Sequence, residues 1–286
     1  MQPPLLIVNP FASGVSEERL ADVLEILGEV EVRRTERPGH ATELARDAAG
    51  RPALYVFSGD GVFNEVLNGL QVDVPVGFVP GGGANVLPRA LGLPRDPVEA
   101  VRRLSAGRTR RISLGRVNGR RFAFAAGVGL DAEVVRRVDR LGRTEEGGRA
   151  GNLRFAWTVA RLVAERRCRF DPVLEIAGEG RAAFALVANC DPYTYAGPLP
   201  LHVAPRARFE LGLDFAAPRE VTPAQVPRVL FRLVTGRANG VLSGHDLDRI
   251  EVWCDRPLPL QADGEDLGDV EEAVFEAERD VVSVLV

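Results

Sequence analysis

The sequence contains no lysine: all 36 of its basic residues are arginine, set against 40 Asp and Glu in a chain of 286 residues. Without lysine, two classes of site are excluded: a P-loop that holds phosphates with a Lys side chain, and an enzyme that forms a Schiff base. The net charge of −4 argues against nucleic-acid binding by the fold as a whole.

Cysteine and histidine are also scarce. Cys168, Cys190 and Cys254 show no C-x-x-C spacing and the three histidines are scattered, which argues against a zinc site or a disulfide framework. A reducing cytoplasm is the simplest location for such a chain. No apolar run approaches the length of a membrane span, and the start of the chain lacks the basic region of a signal peptide. We therefore expect any membrane contact to be peripheral.

The first hundred or so residues alternate short apolar runs with helical stripes. The predicted strands are Leu5–Val8, Glu29–Val32, Ala53–Phe57 and Val74–Val79, and the predicted helices are Ser16–Leu27, Ala41–Ala49 and the segment after Gly61. This order predicts a parallel, doubly wound α/β sheet.

The pattern changes near Gly107, after which most segments alternate as β-strands do. Asn118-Gly119 predicts a hairpin turn. We predict an α/β nucleotide-binding domain over residues 1–107 and a β-rich domain over 108–286, whose last strand is a candidate to return to the first domain. Helices are expected before about Arg167 and from about Pro223 to Thr235, and a mobile loop at Gly142–Gly151.

Glycine-containing turns follow the predicted strands of the first domain. They are Asn9–Gly14, Arg33–Ala41, Ser58–Gly61 and Pro80–Asn85. The carboxyl ends of parallel strands share one edge of the sheet, and glycine lets backbone N–H groups approach phosphates closely. Several such turns without a G-x-G-x-x-G or P-loop pattern indicate a polyphosphate nucleotide.

Asp60 stands between Gly59 and Gly61, where a buried strand turns into an amphipathic helix. One interpretation is a helix cap, since Asp is favoured at that position. The other is a carboxylate that faces the bound ligand.

Taken in order, the motifs resemble the diacylglycerol kinase catalytic-domain family, which includes bacterial lipid kinases and sphingosine kinases. The matching stretches are Asn9, Pro10, Ser13 and Gly14 (NPxSG); Thr35 and Gly39 to Ala41 (TxxxGHA); SGDGVFNEVLNGL from Ser58 (GGDGTxNEVxNGL); PGGGANVLPRALGLP from Pro80 (PxGTxNDFARxLGxP); AAGVGLDAEV from Ala125; and Ala262 to Glu265 (DGE).

The resemblance implies an N-terminal α/β domain and a C-terminal antiparallel β-sandwich with inserted helices, with the active site in the cleft between them. It also implies transfer of the ATP γ-phosphoryl group to a diacylglycerol- or sphingosine-like hydroxyl, with Mg²⁺, by a cytoplasmic protein peripheral to the membrane. Nucleic acid is not an expected partner, and a homodimer is compatible with this reading.

The same resemblance assigns candidate site residues. The candidate catalytic residues are Asp60, Asp263 and Glu265; Asp60 is also the candidate metal ligand, and Asp131 is the candidate substrate-binding residue. The candidate nucleotide-binding residues are Asn9, Pro10, Ser13, Gly14, Thr35, Ser58, Gly59, Gly61, Glu65, Gly81, Gly82, Gly83, Asn85 and Arg154.

Several of these assignments have plain alternatives. Asp263-Gly264 is also a standard hairpin pair, and Arg154, like the weaker candidate Arg149, also suits a solvated helix. The helical spacing of Leu153, Trp157, Ala160 and Val163 fits either a lipid-tail pocket or a stripe facing the core.

The sequence departs from the family pattern at Val62, Gly83 and Val86, which replace two threonines and an acid, and at Pro88. The acids that some bacterial members use for a structural magnesium are reduced to Glu210, so we do not expect that metal site. Rival hypotheses are a small-molecule kinase related to NAD kinase or phosphofructokinase, and a non-catalytic nucleotide-binding regulatory protein. A dinucleotide oxidoreductase is disfavoured because no G-x-G-x-x-G is present.

Overall fold

The computed structural model describes residues 2–140, 152–236 and 240–286, without the side chains of residues 152–156 and 230. The chain forms two compact units. The first extends to Ile112 and is completed by Asp280–Val286, and the second extends from Ser113 to Arg279. The functional domains 1–107 and 108–286 stay a prediction, and the loop expected at Gly142–Gly151 lies outside the described residues.

The first unit alternates strands and helices. Its elements are β1 (Leu5–Val8), α1 (Glu17–Leu27), β2 (Glu31–Arg34), α2 (His40–Leu44), a 3₁₀ turn (Ala45–Ala48), β3 (Leu54–Ser58), α3 (Asp60–Gly69), β4 (Val76–Pro80), α4 (Val86–Ala90) and α5 (Pro97–Leu104). The second strand lies two residues later than predicted, because pairing with β1 starts at Glu31 and not at Glu29. The helix predicted at Ala41–Ala49 tightens into the 3₁₀ turn after Leu44.

The strands of the first unit pair in parallel in the order β2–β1–β3–β4. Val284, near the end of the chain, pairs in parallel with Val76 of β4. Right-handed crossovers then place α1 on one face and α2 and α3 on the other, in agreement with the packing of α1 on α5 and of α2 on α3. The chain adds β2 on one side of β1 and then β3 and β4 on the other side, so the order of the strands reverses between β1 and β3. Ligands bind at such a switch point in open α/β sheets.

Three strands of this sheet are buried on both faces, as the covering helices require, whereas the edge strand β2 is partly exposed. β1, β3 and β4 are buried along their whole lengths. Their near-continuous apolar runs are typical of parallel strands. Phe63 of α3 packs edge-to-face on Phe78 of β4, with ring centroids 5.1 Å apart. This packing fixes α3, and with it the turn that precedes the helix.

The second unit is rich in antiparallel strands. Its elements are β5 (Thr109–Val117, which begins in the first unit), β6 (Arg120–Phe122), β7 (Ala125–Val128), α6 (Leu130–Arg140), α7 (Asn152–Glu165), β8 (Leu174–Ile176), β9 (Gly180–Ala182), β10 (Ala185–Ala188), β11 (Thr194–Ala196), β12 (Leu199–Leu201), β13 (Leu213–Ala217), a 3₁₀ turn (Pro223–Gln225), α8 (Val226–Thr235), β14 (Leu242–Leu247), β15 (Arg249–Ala262) and β16 (Glu265–Leu285).

The strands of the second unit pair in antiparallel fashion, in the order β14–β13–β10–β7–β15–β16, and β8 and β9 extend from β15. The predicted hairpin is confirmed: β5 pairs with β6 across Asn118 and Gly119, both of which have positive φ. In the alternating stretch RFELGLDF (residues 208–215), only the last three residues are extended, as the start of β13. A turn closes the segment before them, in which the Leu211 N–H donates to the Arg208 carbonyl.

The predicted fold class, an α/β unit followed by an antiparallel β-rich unit with inserted helices, is confirmed. The core of the second unit contains the edge-to-face pair Phe122 and Phe275, with ring centroids 6.4 Å apart. Within the described ranges, no helix has the length and hydropathy needed to cross a bilayer.

Candidate functional site

The glycine turns that follow β1, β3 and β4 lie directly on one another. The Gly14 N–H donates to the Gly81 carbonyl at 2.8 Å, and the Gly81 N–H donates to the Ser58 carbonyl at 2.6 Å. A Cβ on Gly82 would lie 2.7 Å from the Cα of Gly59. The structure thus brings together Asn9–Gly14, Ser58–Gly61 and Gly81–Asn85 at the β1/β3 switch point. Their role in nucleotide binding stays a prediction.

The glycines of these turns fall into two groups. A Cβ on Gly14 would lie 2.9 Å from the Gly81 carbonyl oxygen, and one on Gly81 would lie 2.7 Å from Val15. These glycines, like Gly82, are needed for contact between the turns. Gly61 and Gly83 have no neighbouring atom within 4 Å of a Cβ. They therefore leave open space in front of the backbone, as the approach of a phosphate requires.

Asn85 holds the third turn in shape. It has φ 48°, which Asn tolerates better than most side chains. Its Oδ1 accepts the Gly82 N–H at 2.8 Å, and its Nδ2 donates to the Gly82 carbonyl at 2.7 Å. In the first turn, Asn9 accepts the Phe11 N–H at 3.0 Å. Both predicted nucleotide-binding asparagines thus shape the backbone of their own turns.

The Asp60 carboxylate crosses from the second turn to the third. Asp60 is the first residue of α3, and the position before it is Gly59, so Asp60 does not cap its own helix. Its Oδ2 accepts the Val86 N–H at 2.9 Å, and its Oδ1 accepts the Leu87 N–H at 3.1 Å. These N–H groups begin α4, whose N-cap Asn85 makes no side-chain cap. Asp60 therefore caps a neighbouring helix, which neither interpretation of the sequence anticipated.

Glu65 makes the equivalent connection on the other side of α3. Its Oε1 accepts the Gly39 N–H at 2.9 Å, and its Oε2 accepts the Ala41 N–H at 3.2 Å. The Thr42 hydroxyl donates to the Glu65 carbonyl at 2.9 Å. The two acids of the SGDGVFNE stretch thus fix the starts of α4 and α2, which flank the glycine turns.

Ser58 and Thr35 are the buried polar residues at the ends of β3 and β2. Ser58 is 1% exposed, and its Oγ has no hydrogen-bond partner among the described residues. A buried hydroxyl without a partner costs free energy and calls for an explanation. Thr35 is 5% exposed, and its N–H donates to the Val8 carbonyl at 2.8 Å. On the first turn, Pro10 is half-buried and Ser13 is exposed.

Two arginines that the sequence reasoning missed lie beside the glycine turns. Arg19 Nη1 donates to the Gly14 carbonyl at 2.8 Å, and Arg89 Nη1 donates to the Ala84 carbonyl at 3.4 Å. In a chain without lysine, these guanidinium groups bring positive charge to the turns. Their i, i+5 spacing from the carbonyls they contact carries no motif, so only the folded turn reveals them.

In the second unit, Asp263 is buried and bound to backbone. It is 3% exposed, with φ 48° in the hairpin turn between β15 and β16. Its carboxylate accepts the N–H groups of Ala123, Phe124 and Ala125 at 2.6, 3.0 and 3.2 Å. The hairpin interpretation of Asp263-Gly264 is therefore correct as a description of the backbone. The predicted catalytic role is a separate matter and stays a prediction.

Glu265 is the more accessible of the two late acids. Its carboxylate is 46% exposed and pairs with Arg120, with Nη2 2.6 Å from Oε2. A partly exposed ion pair of this kind contributes little to stability. The Glu265 side chain is therefore more accessible than that of Asp263, and its predicted catalytic role stays a prediction.

Asp131 is part of a polar cluster with Tyr193 and Gln261. Its Oδ2 accepts the Tyr193 hydroxyl at 2.7 Å and the Gln261 amide at 2.5 Å. Although Asp131 as a residue is half-buried, this oxygen is enclosed, since a Cβ on Gly127 would lie 2.8 Å from it. Burial raises the pKa of Asp131, and the two donors only partly oppose that rise. Burial and the neighbouring carboxylate raise the pKa of Tyr193.

Gln261 connects this cluster to the late acids, because its Oε1 accepts the Gly264 N–H at 2.9 Å. Neither Gln261 nor Tyr193 was predicted from the sequence. Gln261 lies on β15 directly before the DGE stretch, two residues before Asp263, and this position was a usable signal. Tyr193 lies in a loop between strands and has no local pattern that marks it.

Arg154 lies in α7, but its side chain lies outside the described residues, as does Arg149 entirely. Of the predicted apolar stripe, Trp157 is 69% exposed, Ala160 is exposed and Val163 is half-buried, whereas the neighbouring Thr158 and Leu162 are buried. Trp157 and Ala160 therefore do not face the core; the lipid role of the stripe stays a prediction. The Leu153 side chain lies outside the described residues.

The described residues include no cluster of three or more His, Cys, Asp or Glu side chains that could hold a metal ion. The three cysteines are free thiols.

Comparison with known proteins identifies the class of the first unit. Residues 3–117 match the family model of the diacylglycerol kinase catalytic domain. The resemblance predicted from the motifs is therefore confirmed over this segment. Its glycine turns and the SGDGVFNE acids lie within the match.

Curated relatives carry related names. The chain is 35% identical over 141 residues to the diacylglycerol kinase of Bacillus subtilis, covering 46% of each protein. It is 28% identical over 278 residues to the "probable lipid kinase YegS-like" protein of Chromohalobacter salexigens, covering 91% of this chain and 86% of that protein. The "putative lipid kinase" of Streptococcus pneumoniae is 29% identical over 157 residues, a match that covers 51% of this chain and 53% of that protein. The chain thus matches about half the length of this relative and of the Bacillus subtilis protein.

Solved structures share the fold. The "putative diacylglycerol kinase" of Bacillus anthracis superposes with a TM-score of 0.78 at 22% identity, over 99% of this chain and 95% of that one. An NAD kinase from Archaeoglobus fulgidus, solved in complex with ATP, superposes with a TM-score of 0.52 at 15% identity, over 99% and 93%. At these identities the likeness concerns the fold alone.

Proposed function

We propose that the protein is a lipid kinase that transfers the γ-phosphoryl group of ATP to a lipid hydroxyl. The observation that carries the proposal is the meeting of three glycine turns at the β1/β3 switch point, within a segment that matches the diacylglycerol kinase catalytic domain. The names of the relatives support a lipid acceptor.

The nucleotide phosphates are proposed to lie against Gly61 and Gly83, where the backbone is open. Gly61 belongs to the first turn of α3, a ten-residue helix whose N-terminus favours anions. Arg19 and Arg89 supply positive charge in place of lysine, with the fork geometry that suits phosphate. The Ser58 hydroxyl is a further candidate donor.

Mg²⁺ fits this site as an ion held mainly by the phosphates and water. Magnesium at nucleotide sites commonly uses only one or two protein carboxylates, so the missing acidic cluster is no obstacle. Asp60 is the proposed carboxylate, although both of its oxygens also accept backbone N–H groups. A bound Mg²⁺ would neutralise charge on the phosphates during transfer.

The acceptor is proposed to use residues of the second unit. Asp131, supported by Tyr193 and Gln261, offers a carboxylate to the polar head of the lipid. Glu265 is the proposed proton acceptor for the lipid hydroxyl, because it is exposed and makes only a weak ion pair. Asp263 is proposed to stabilise the hairpin turn that directly precedes Glu265.

Transfer of labelled phosphate tests the proposal. The protein is incubated with MgATP labelled at the γ-phosphate and with diacylglycerol, sphingosine, undecaprenol, phosphatidylglycerol or NAD in turn. We expect label in the organic phase with at least one lipid. Label on NAD alone would make the protein a small-molecule kinase and overturn the proposal.

A non-catalytic nucleotide-binding protein is a second candidate, favoured by one observation. The carboxylates of Asp60 and Asp263 are both bound to backbone N–H groups, a structural use of two predicted catalytic acids. In that case calorimetry would detect ADP binding, but no acceptor in the panel would receive label. We also propose a cytoplasmic location at the membrane surface; a homodimer stays a prediction.

A further inference from the structure

Three large apolar side chains are exposed around α8. Phe231 and Val234, one helical turn apart, are 54% and 45% exposed, and Leu199 at the start of β12 is 43% exposed. β12 packs against α8. We name Leu199, Phe231 and Val234 the α8 face. Isolated exposed apolar residues are ordinary, but neighbouring ones on packed elements call for an explanation.

The α8 face is held in place by the fold. The His202 N–H, directly after β12, donates to the Leu233 carbonyl of α8 at 2.6 Å. Gly236, which ends α8 in the left-handed conformation, leaves room for Pro205; a Cβ there would lie 3.0 Å from the Pro205 ring. The face therefore belongs to two elements that are tied together.

Basic residues outnumber acidic ones in the two segments that form this face. About one residue in seven of the chain is acidic, yet neither residues 192–209 nor residues 221–236, the two segments that pack here, contain an Asp or Glu. They contain four arginines: Arg206, Arg208, Arg228 and Arg232. The acids at their borders are Asp191, whose carboxylate is hydrogen-bonded to His202 Nδ1 at 2.8 Å, Glu210, and Glu220, which lines a surface pocket together with Arg228 and Arg232.

Arg228 is three residues before Phe231 on α8, so a basic side chain borders the apolar one. An exposed apolar helix face bordered by arginine is typical of helices that lie in the membrane interface. Such an excess of arginine over acids is a local exception in a chain with a net charge of −4.

We propose that the α8 face is a docking surface for a bilayer that contains anionic lipid. Phe231, Val234 and Leu199 enter the headgroup region, and Arg228 contacts the anionic headgroups. The proposal rests on the proposed function for its motive, since a lipid kinase must reach a substrate that stays in the membrane. It goes further by naming the surface and the lipid charge.

Vesicle sedimentation tests the proposal with the whole chain and no nucleotide. The vesicles contain phosphatidylcholine alone, or phosphatidylcholine with phosphatidylglycerol. We expect binding to the anionic vesicles only, weakened by added salt. Phe231→Ser should weaken binding on the order of tenfold, because it removes most of an aromatic side chain that would be buried in the bilayer in the bound state. Arg228→Gln should weaken binding about fivefold.

Matched controls come from the first unit. Val234→Ser is a third variant of the α8 face, and it should also weaken vesicle binding. Val72→Ser is its control, because the exposed fraction of Val72, 41%, is similar to the 45% of Val234. The exposed Arg102 of α5 serves for Arg228, through Arg102→Gln. The controls should leave vesicle binding unchanged, and circular dichroism melts should show that all variants are folded.

Unchanged binding in Phe231→Ser and Arg228→Gln, or equal losses in the controls, would overturn the proposal. So would a concentration-dependent dimer that Phe231→Ser abolishes, because the face would then belong to a second copy. The proposed function is judged separately: phosphorylation of a short-chain lipid in solution would stand even if vesicle binding failed.

Discussion

The carboxylate of Asp60 and the backbone N–H of Val86 are joined by a hydrogen bond of 2.9 Å between two turns that are 26 residues apart in sequence. With the Leu87 contact, both oxygens of the acid are engaged by the start of α4. Asp60 therefore supports the third glycine turn from the second. Any catalytic role must be exercised by a carboxylate that is already part of the scaffold.

Asp60→Asn separates these roles. Asn keeps one acceptor but turns an NH₂ group towards a backbone N–H, at a cost of about 1–3 kcal/mol, which lowers the melting temperature by roughly 2–12 °C. If the charge also acts in phosphoryl transfer, turnover should fall about a hundredfold or more. Melting temperature, ADP affinity and turnover at saturating MgATP should be measured on one preparation. Surviving turnover would make Asp60 a structural residue only.

Gly61→Ala and Gly82→Ala distinguish a glycine needed by a ligand from one needed by the fold. At Gly61 a Cβ meets no neighbouring atom, so Ala should leave the fold intact or stabilise α3 by about 0.5–1 kcal/mol. ADP affinity should nevertheless fall, on the order of tenfold, if phosphate lies there. At Gly82 a Cβ meets Gly59 at 2.7 Å, so the melting temperature should fall without any ligand. Unchanged ADP affinity in folded Gly61→Ala would remove the phosphates from this turn.

Much of the first unit was predictable because its strands are apolar runs and each is followed by a glycine turn. The sequence pattern indicated that Asn9–Gly14, Ser58–Gly61 and Gly81–Asn85 meet, since they follow parallel strands. It did not indicate what the side chains at the turns contact. The partners of Asp60 and Glu65 are backbone N–H groups, which every residue offers and no sequence motif marks.

The second unit was less predictable for the same reason. Asp263 was identified by its motif, but its contacts are backbone N–H groups on a segment 138 to 140 residues away.

In the first unit, the start of β2 was misplaced because the alternation of Glu and Val does not fix the register with β1. Only pairing with the neighbouring strand determines it.

Asp131→Asn should stabilise the protein increasingly as pH rises. Burial raises the pKa of Asp131 in the folded state above its value in the unfolded chain. The folded state then holds a proton that the unfolded state has lost, so wild-type stability declines as pH rises from the unfolded pKa through the folded one. Asn has no such titration. The variant's melting temperature relative to wild type should grow with pH, by at most about 3–6 °C per pH unit.

Thermal melts between pH 4 and pH 8 measure this difference, and Asp22→Asn at an exposed position of α1 is the control. A difference that stays flat or shrinks for Asp131→Asn would mean that the carboxylate is stabilised as an anion, against the expected direction.

Asp263→Asn and Glu265→Gln should divide the late acids into a structural and a catalytic residue. Asp263 is 3% exposed and binds three backbone N–H groups, so Asn would leave at least one of them facing an NH₂ group. We expect the free energy of unfolding to fall by roughly 2–3 kcal/mol or more, which lowers the melting temperature by about 4–12 °C.

Glu265→Gln removes only a partly exposed ion pair, at a cost of about 1 kcal/mol or less. If Glu265 accepts the proton of the lipid hydroxyl, turnover should fall about a hundredfold with little change in KM, and the acidic limb of its pH–rate profile should disappear. Arg120→Gln is the matched control, because it breaks the same ion pair and keeps the carboxylate. Full turnover in Glu265→Gln, or an equal loss in Arg120→Gln, would show that the pair is structural and would leave Asp60 as the remaining candidate for the base.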